Sequence, residues 1–126
     1  MMKYNPITEE IVNELKKIVG DKYATTDPDK LEIYKTDEEG NSIYFSYPEV
    51  VVFPASTEEV AEVVKLANKY LVPITPRSAG TGLSCGAIPV HHGIVIELER
   101  MNQILEMDAE NLYCVVQPGV RTVDLQ

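Results

Sequence analysis

Ile11, Val12, Leu15, Ile18 and Val19 recur at the three-and-four spacing of one helical face. Thr8 is placed to cap the first turn of that helix, and Gly20 suits the left-handed position after its last turn. A shorter helix is expected from Asp27-Pro28, with Leu31 and Tyr34 on one side. Residues 36–47 are polar, contain Gly, Asn and Ser, and read as loop. Val50-Val51-Val52-Phe53 is then a wholly apolar run stopped by Pro54, the pattern of a strand buried on both faces. Ser56 with Glu59 three residues later forms a capping box, in which the hydroxyl takes one orphan N–H and the carboxylate reaches back to another. Val60, Val63, Val64, Ala67 and Tyr70 make the apolar stripe of the helix that follows, and Pro73 is expected to end it.

Ile74-Thr75 opens a second strand, and residues 76–89 form a long turn-rich loop. Ile94-Val95-Ile96-Glu97-Leu98 is a third strand. Leu112-Tyr113-Cys114-Val115-Val116 is a fourth, preceded by the turn-like Asp108-Ala109-Glu110-Asn111. Pro118-Gly119 turns the chain, and a helix starts near Thr122. That helix has barely begun at Gln126, so the chain is expected to be part of a longer protein, with partners for Val123 and Leu125 in further sequence.

The chain of 126 residues is one domain's worth, and its 44% apolar and 25% charged residues are ordinary globular values. No apolar window has the length of a membrane span, and Met1 to Tyr4 lack the apolar stretch of a secretory signal. The net charge of −9 argues against nucleic acid as a partner. It does not exclude an anionic ligand, because backbone N–H groups bind phosphate without net positive charge. Cys85 and Cys114 make no disulfide framework, and a reducing cytoplasm is their simplest setting.

The chemistry concentrates in Pro76-Arg77-Ser78-Ala79-Gly80-Thr81-Gly82-Leu83-Ser84-Cys85-Gly86-Ala87. Small residues directly after a strand let the backbone pass close to a ligand, and successive N–H groups in such a turn make a nest for phosphate oxygens. Ser78, Thr81 and Ser84 add hydroxyl donors, and Arg77 is the fixed cation of the stretch. The spacing Gly80-x-Gly82-x-x-x-Gly86, followed by Ala87-Ile88-Pro89, is not a Rossmann fingerprint, and no Gly-Lys-Ser/Thr of a Walker loop occurs. Composition and spacing therefore lead to a phosphate-binding loop of another type, with an unliganded glycine-rich turn as the alternative.

Four stretches in order resemble a known family: Tyr47-Pro48-Glu49-Val50-Val51-Val52-Phe53-Pro54-Ala55-Ser56-Thr57-Glu58-Glu59-Val60, then Pro73-Ile74-Thr75-Pro76-Arg77-Ser78-Ala79-Gly80-Thr81-Gly82-Leu83-Ser84, then Arg100-Met101-Asn102, then Val116-Gln117-Pro118-Gly119-Val120. They are similar to the FAD-linked oxidases and dehydrogenases of the vanillyl-alcohol oxidase / p-cresol methylhydroxylase superfamily, in the branch of the glycolate oxidase FAD subunit and the D-lactate dehydrogenases. The resemblance covers about residues 27–126 and implies an α/β (α+β) fold. That fold is the small N-terminal lobe of a p-cresol methylhydroxylase-type FAD-binding domain, with a short, mostly parallel sheet and flanking helices. Residues 1–46 would be a helical extension, and 47–126 the first lobe; a second FAD lobe and a substrate domain would follow.

The resemblance further implies that FAD lies between two lobes, with its pyrophosphate on residues 77–82. Pro76, Leu83, Ser84 and Gly86 would stand close by, and Pro54, Pro118 and Gly119 would lie near the cofactor at strand ends. A strand-terminating role explains these prolines equally well. Many relatives have glycine where Ser78 and Cys85 stand. Cys85 therefore either takes a positive φ or points away from the nest. Where some relatives attach FAD through a histidine, this chain has Thr81, so the flavin is expected to be non-covalent.

His91-His92, even with Cys85, match no zinc spacing and read as a solvated turn. Cys114, in a strand, reads as a small buried hydrophobe. Glu58, Glu59 and Glu62 suit a helix start. No catalytic residue is assigned in the chain; the groups that bind substrate and take its proton are expected beyond it. The parent is expected to oxidise a D-2-hydroxy acid such as glycolate or lactate to the 2-oxo acid, by hydride transfer to flavin N5. Its partners would be FAD, that substrate and an electron acceptor, in the cytoplasm or peripherally at the inner membrane face. Taken alone, the chain is expected to be inactive and to bind FAD weakly or not at all. The alternatives are a superfamily enzyme acting on an alkyl-glycerone phosphate or UDP-N-acetyl-enolpyruvylglucosamine, a non-catalytic nucleotide-binding module, and an interaction domain that self-associates.

Overall fold

A computed structural model of the chain describes residues 3–38 and 44–126. The loop expected over residues 36–47 therefore falls in part, at 39–43, outside the described residues, as do Met1 and Met2. The first helix, Glu9–Val19 (α1), begins at Thr8, whose Oγ1 accepts the Ile11 N–H at 3.3 Å. Glu9 and Glu10 lie in its first turn and Lys16 and Lys17 in its last, each sign placed to suit the helix dipole. Gly20, at φ 102°, closes it. Ala24–Thr25 (β1) follows a 3-10 turn, and Pro28–Leu31 (α2) is capped by Asp27 Oδ1 on the Asp29 N–H at 3.0 Å before a 3-10 turn over Glu32–Tyr34.

Val50–Val52 (β2) is buried at every position. Thr57–Tyr70 (α3) starts at Ser56, whose Oγ accepts the Glu59 N–H at 3.2 Å. The Glu59 carboxylate reaches back to the N–H of Ala55, 2.6 Å away, one residue earlier than a reciprocal capping box would place it. Leu71, in the left-handed region at φ 56°, ends α3, so Pro73 comes two residues after the stop rather than making it. Ile74–Arg77 (β3) and Ile94–Glu97 (β4) complete one sheet. Ile104–Asp108 (β5) and Tyr113–Val116 (β6) form a separate antiparallel hairpin, and Thr122–Leu125 (α4) closes the chain.

The sheet order is β1-β2-β4-β3, with β2, β4 and β3 parallel and β1 antiparallel at one edge. Alternate residues of β2 go to opposite faces. Val50 and Val52 pack with Ile94 and Ile96 against Ile11, Leu15 and Val63 of α1 and α3; Val51 and Val95 pack on the other side with Leu31, Tyr34 and Phe53. Both faces are covered, which is why β2 and the first three residues of β4, Ile94, Val95 and Ile96, are unbroken apolar runs. The expected fold class stands: helices flank a short, mostly parallel sheet. β1 is two residues long and has no period to read. β5 escaped the sequence pattern because nearly all of its residues are exposed and no alternation marks it. Cys114 corrects another expectation: it is exposed on β6, not buried.

Candidate functional site

Parallel strands deliver their C-terminal ends to one side of a sheet, and ligands of such folds bind outside those ends. Here Phe53-Pro54, the loop after Arg77, and residues 98–102 after Glu97 all emerge there. Three hydrogen bonds tie these segments and the turn after β6 together. Arg100 Nη1 donates to Phe53 O at 2.6 Å, the Gly119 N–H to Met101 O at 2.8 Å, and Ser78 Oγ to Pro118 O at 2.7 Å. The four separated motifs of the sequence thus meet at one place.

The loop has few bonds of its own. Among the described residues, no carbonyl or side chain takes the backbone N–H groups of residues 79–84. Its ends and middle are held from the segment after the Glu32–Tyr34 turn. Thr36 O accepts from Arg77 Nη1 at 2.6 Å, the Glu38 N–H donates to Gly82 O at 3.3 Å, and Asp37 Oδ2 accepts the Cys85 N–H at 2.9 Å. Cys85 does take a positive φ, 64°, and turns its N–H to Asp37 rather than into the nest.

Two grooves flank the loop. One, of about 520 Å³, is lined by Pro76, Arg77, Ser78, Ala79, Gly80, Thr81 and Gly82 against Val120, Arg121, Thr122 and Val123. The other, of about 650 Å³, shares Arg77, Ser78 and Ala79 and adds Gly119, Tyr34, Glu97, Arg100, Asn102 and Arg121. Gly86 lines a different groove, beside Pro76 and Ile88. Leu83 and Ser84 are exposed and line neither of the flanking grooves, and Pro54 is fully buried and lines neither.

Arg77 differs from its sequence reading. Its side chain is turned inward at 9% exposure, over the Tyr34 ring at 5.4 Å, with Nε 3.8 Å from Glu97 Oε2. It supports the loop from beneath instead of presenting charge on it. Glu97 is 3% exposed, its Oε1 has no partner among the described residues, and burial, with the charge of Glu99 adding, pushes its carboxyl up to about 7 against the pull of Arg77. Burial and the same two carboxylates push Tyr34 up to about 12. The cation left at the mouth of both grooves is Arg121, paired with Asp124 at 3.1 Å. Sequence reading missed Arg121, Asp37 and Glu97, and only Arg121's position directly before a helix could have drawn notice. The Ser78 hydroxyl is likewise engaged with Pro118, leaving those of Thr81 and Ser84 exposed.

His91 and His92 lie in an exposed turn; the His92 ring Nδ1 stands 2.8 Å from Tyr47 O. No group of three or more potential metal ligands occurs among the described residues, and no helix there is long and apolar enough to cross a membrane.

The residues fit a dinucleotide on two counts. A row of N–H groups without protein partners is what a pyrophosphate needs. A Cβ built on Gly82 meets nothing within 4 Å, so the missing side chain leaves open space at the loop rather than relieving a contact.

A family model described as FAD binding domain matches residues 48–126. The chain is 36% identical over 120 residues to glycolate oxidase subunit GlcD of Bacillus subtilis (strain 168), covering 94% of this chain and 25% of that protein. It is 41% identical over 124 residues to a D-lactate dehydrogenase of Anaerostipes hadrus, covering 98% and 26%. It superposes on p-cresol methylhydroxylase, crystallised with substrate bound, at a TM-score of 0.77 and 29% identity, covering 88% of this chain and 22% of that one. The chain spans about a quarter of the length of the curated relatives it matches.

Proposed function

This chain belongs to the FAD-binding domain family, with FAD as its cofactor, and from that premise we propose that it supplies the pyrophosphate-binding part of a flavin-dependent D-2-hydroxy-acid dehydrogenase. The observation that carries the reading is the row of unengaged N–H groups over residues 79–84 between two grooves. Those amides would hold the pyrophosphate, with the Thr81 and Ser84 hydroxyls assisting. The halves of the cofactor on either side of a pyrophosphate call for a groove on each side, as the loop has. Pro118 and Gly119 would close the site through the Ser78 bond.

When bound, the flavin supplies the acceptor for the hydride removed from the substrate's C–H bond, and the protein supplies position and electrostatics. No proton transfer is assigned to this chain. The proposed substrate class, glycolate- or lactate-like, draws its support from the two curated relatives named above. Thr81 carries no imidazole or thiol to bond the flavin, so the proposal includes a non-covalent cofactor.

The test uses the polypeptide of the complete reading frame, purified with excess FAD. It is expected to come away yellow, to release its flavin into the supernatant on acid precipitation, and to bleach under anaerobic D-lactate or glycolate. Colourless protein with no titratable FAD uptake overturns the reading. Flavin that stays with the acid pellet overturns its non-covalent part, and flavin that no 2-hydroxy acid bleaches overturns the substrate class.

A further inference from the structure

Residues 36–38 precede the stretch matched by the family model, which begins at residue 48, yet they hold the loop at its start, middle and end. Asp37 is 7% exposed and Arg77 9%, so the bonds at the two ends are partly shielded from water, which makes a hydrogen bond stronger and a lost one more costly. The bond at the far end falls on a strained residue. Cys85 at φ 64° is in the left-handed region, which a residue with a Cβ adopts only when its surroundings hold it there. The Asp37 carboxylate on the Cys85 N–H is such a hold. With both ends fixed, the N–H groups between them stay out of hydrogen bonds with the protein.

We propose that Asp37 is a positioning residue of the cofactor site: by fixing Cys85 in its left-handed conformation it sets residues 79–84 in the shape that grips the FAD pyrophosphate, so the site extends into a segment ahead of the matched domain. The proposal rests on the reading of the loop as the pyrophosphate site.

Flavin fluorescence titration and thermal melting of the apo-protein, on the polypeptide of the complete reading frame, test it together. Asp37→Ala is expected to weaken FAD binding by about tenfold or more, the size of losing one hydrogen bond to a carboxylate, and to lower the melting temperature of the apo-protein, because the bond is already made without FAD. Asp37→Asn keeps an acceptor oxygen and is expected to stay within about threefold of wild type. Cys85→Gly, added to Asp37→Ala, is expected to recover most of the lost affinity, because glycine takes the left-handed conformation without a hold. A role for Asp37 in general stability would not be rescued in this way.

Asp37→Ala binding FAD as well as wild type overturns this proposal alone. So does Asp37→Asn binding as poorly as Asp37→Ala, or a folded double variant with no recovery. If Asp37→Ala fails to fold, Asp37→Asn and the double variant decide by the same criteria, and failure of both to fold assigns Asp37 to the fold and overturns the proposal. A wild type that takes up no FAD overturns the pyrophosphate reading and this one with it.

Discussion

Gly80 and Gly82 stand two residues apart, and each is glycine for its own reason. Gly80 has φ 72°, and a Cβ there would lie 2.3 Å from Arg77 Nη2, so the loop backbone rests on the buried guanidinium. Gly82 has an ordinary φ and open space where a side chain would be. Gly80→Ala is therefore expected to cost about 1–3 kcal/mol of stability and to weaken FAD binding, since the strain and the clash fall on the protein itself. Gly82→Ala is expected to leave stability within about 0.5 kcal/mol of wild type while weakening FAD binding, since its methyl group enters space only a ligand would use. Urea unfolding beside FAD titration separates the two; equal loss of stability in both would remove the distinction. The sequence showed a cluster of glycines but not this division, because which of them abuts Arg77 depends on where a side chain from the preceding strand is drawn by Thr36 and Glu97, residues far away along the chain.

Among the elements, α3 shows how local signals and packing divide the labour. The Ser56 cap and the acidic first turn start the helix, and Val63, Leu66 and Ala67 fasten it to the sheet. Ser56→Ala should cost about 1 kcal/mol, within the usual range for a lost N-cap, and leave the helix in place; Leu15→Ala, emptying a fully buried position between α1 and the sheet, should cost about 2–5 kcal/mol. Chemical denaturation with matched m-values checks both, and a cap loss as large as the core loss would contradict this ranking. Helices α1, α2 and α3 were legible because caps and stripes are local. The β5–β6 hairpin was only half legible: it leaves Leu105, Met107, Leu112 and Val115 exposed, so its apolar residues follow no inside-outside alternation.

Proton linkage at Glu97 belongs to the whole molecule, because its environment is assembled from every part of the site. Arg77 of β3 faces it, as do Tyr34 before β2 and Glu99 after β4, and Arg100, with Arg121 and Asp124 of the α4 region, lines the same groove. Its carboxyl is raised to about 7 from the ordinary 4.5, so between those values the folded chain binds a proton that the unfolded chain has released. This group's contribution to stability is thus present below about pH 4.5 and is lost as pH rises through 7, by about 1–3 kcal/mol. Glu97→Gln is expected to remove that slope, seen as the difference between urea unfolding free energies at pH 5 and pH 8 without added FAD. An unchanged slope would show that Glu97 does not titrate in this range.

The sequence by itself determined the buried strands β2 and β4, the capped helices, and a side-chain-poor loop suited to an anion, because each of these is written in neighbouring residues whose spacing and size act over a few positions. Only the tertiary structure decided that β4 lies between β2 and β3, that Arg77 points inward, and that Asp37 holds the end of the loop. Those outcomes depend on parallel pairing between strands and on carboxylates brought from other segments into places closed to water, where a single hydrogen bond or charge outweighs what the local pattern favours.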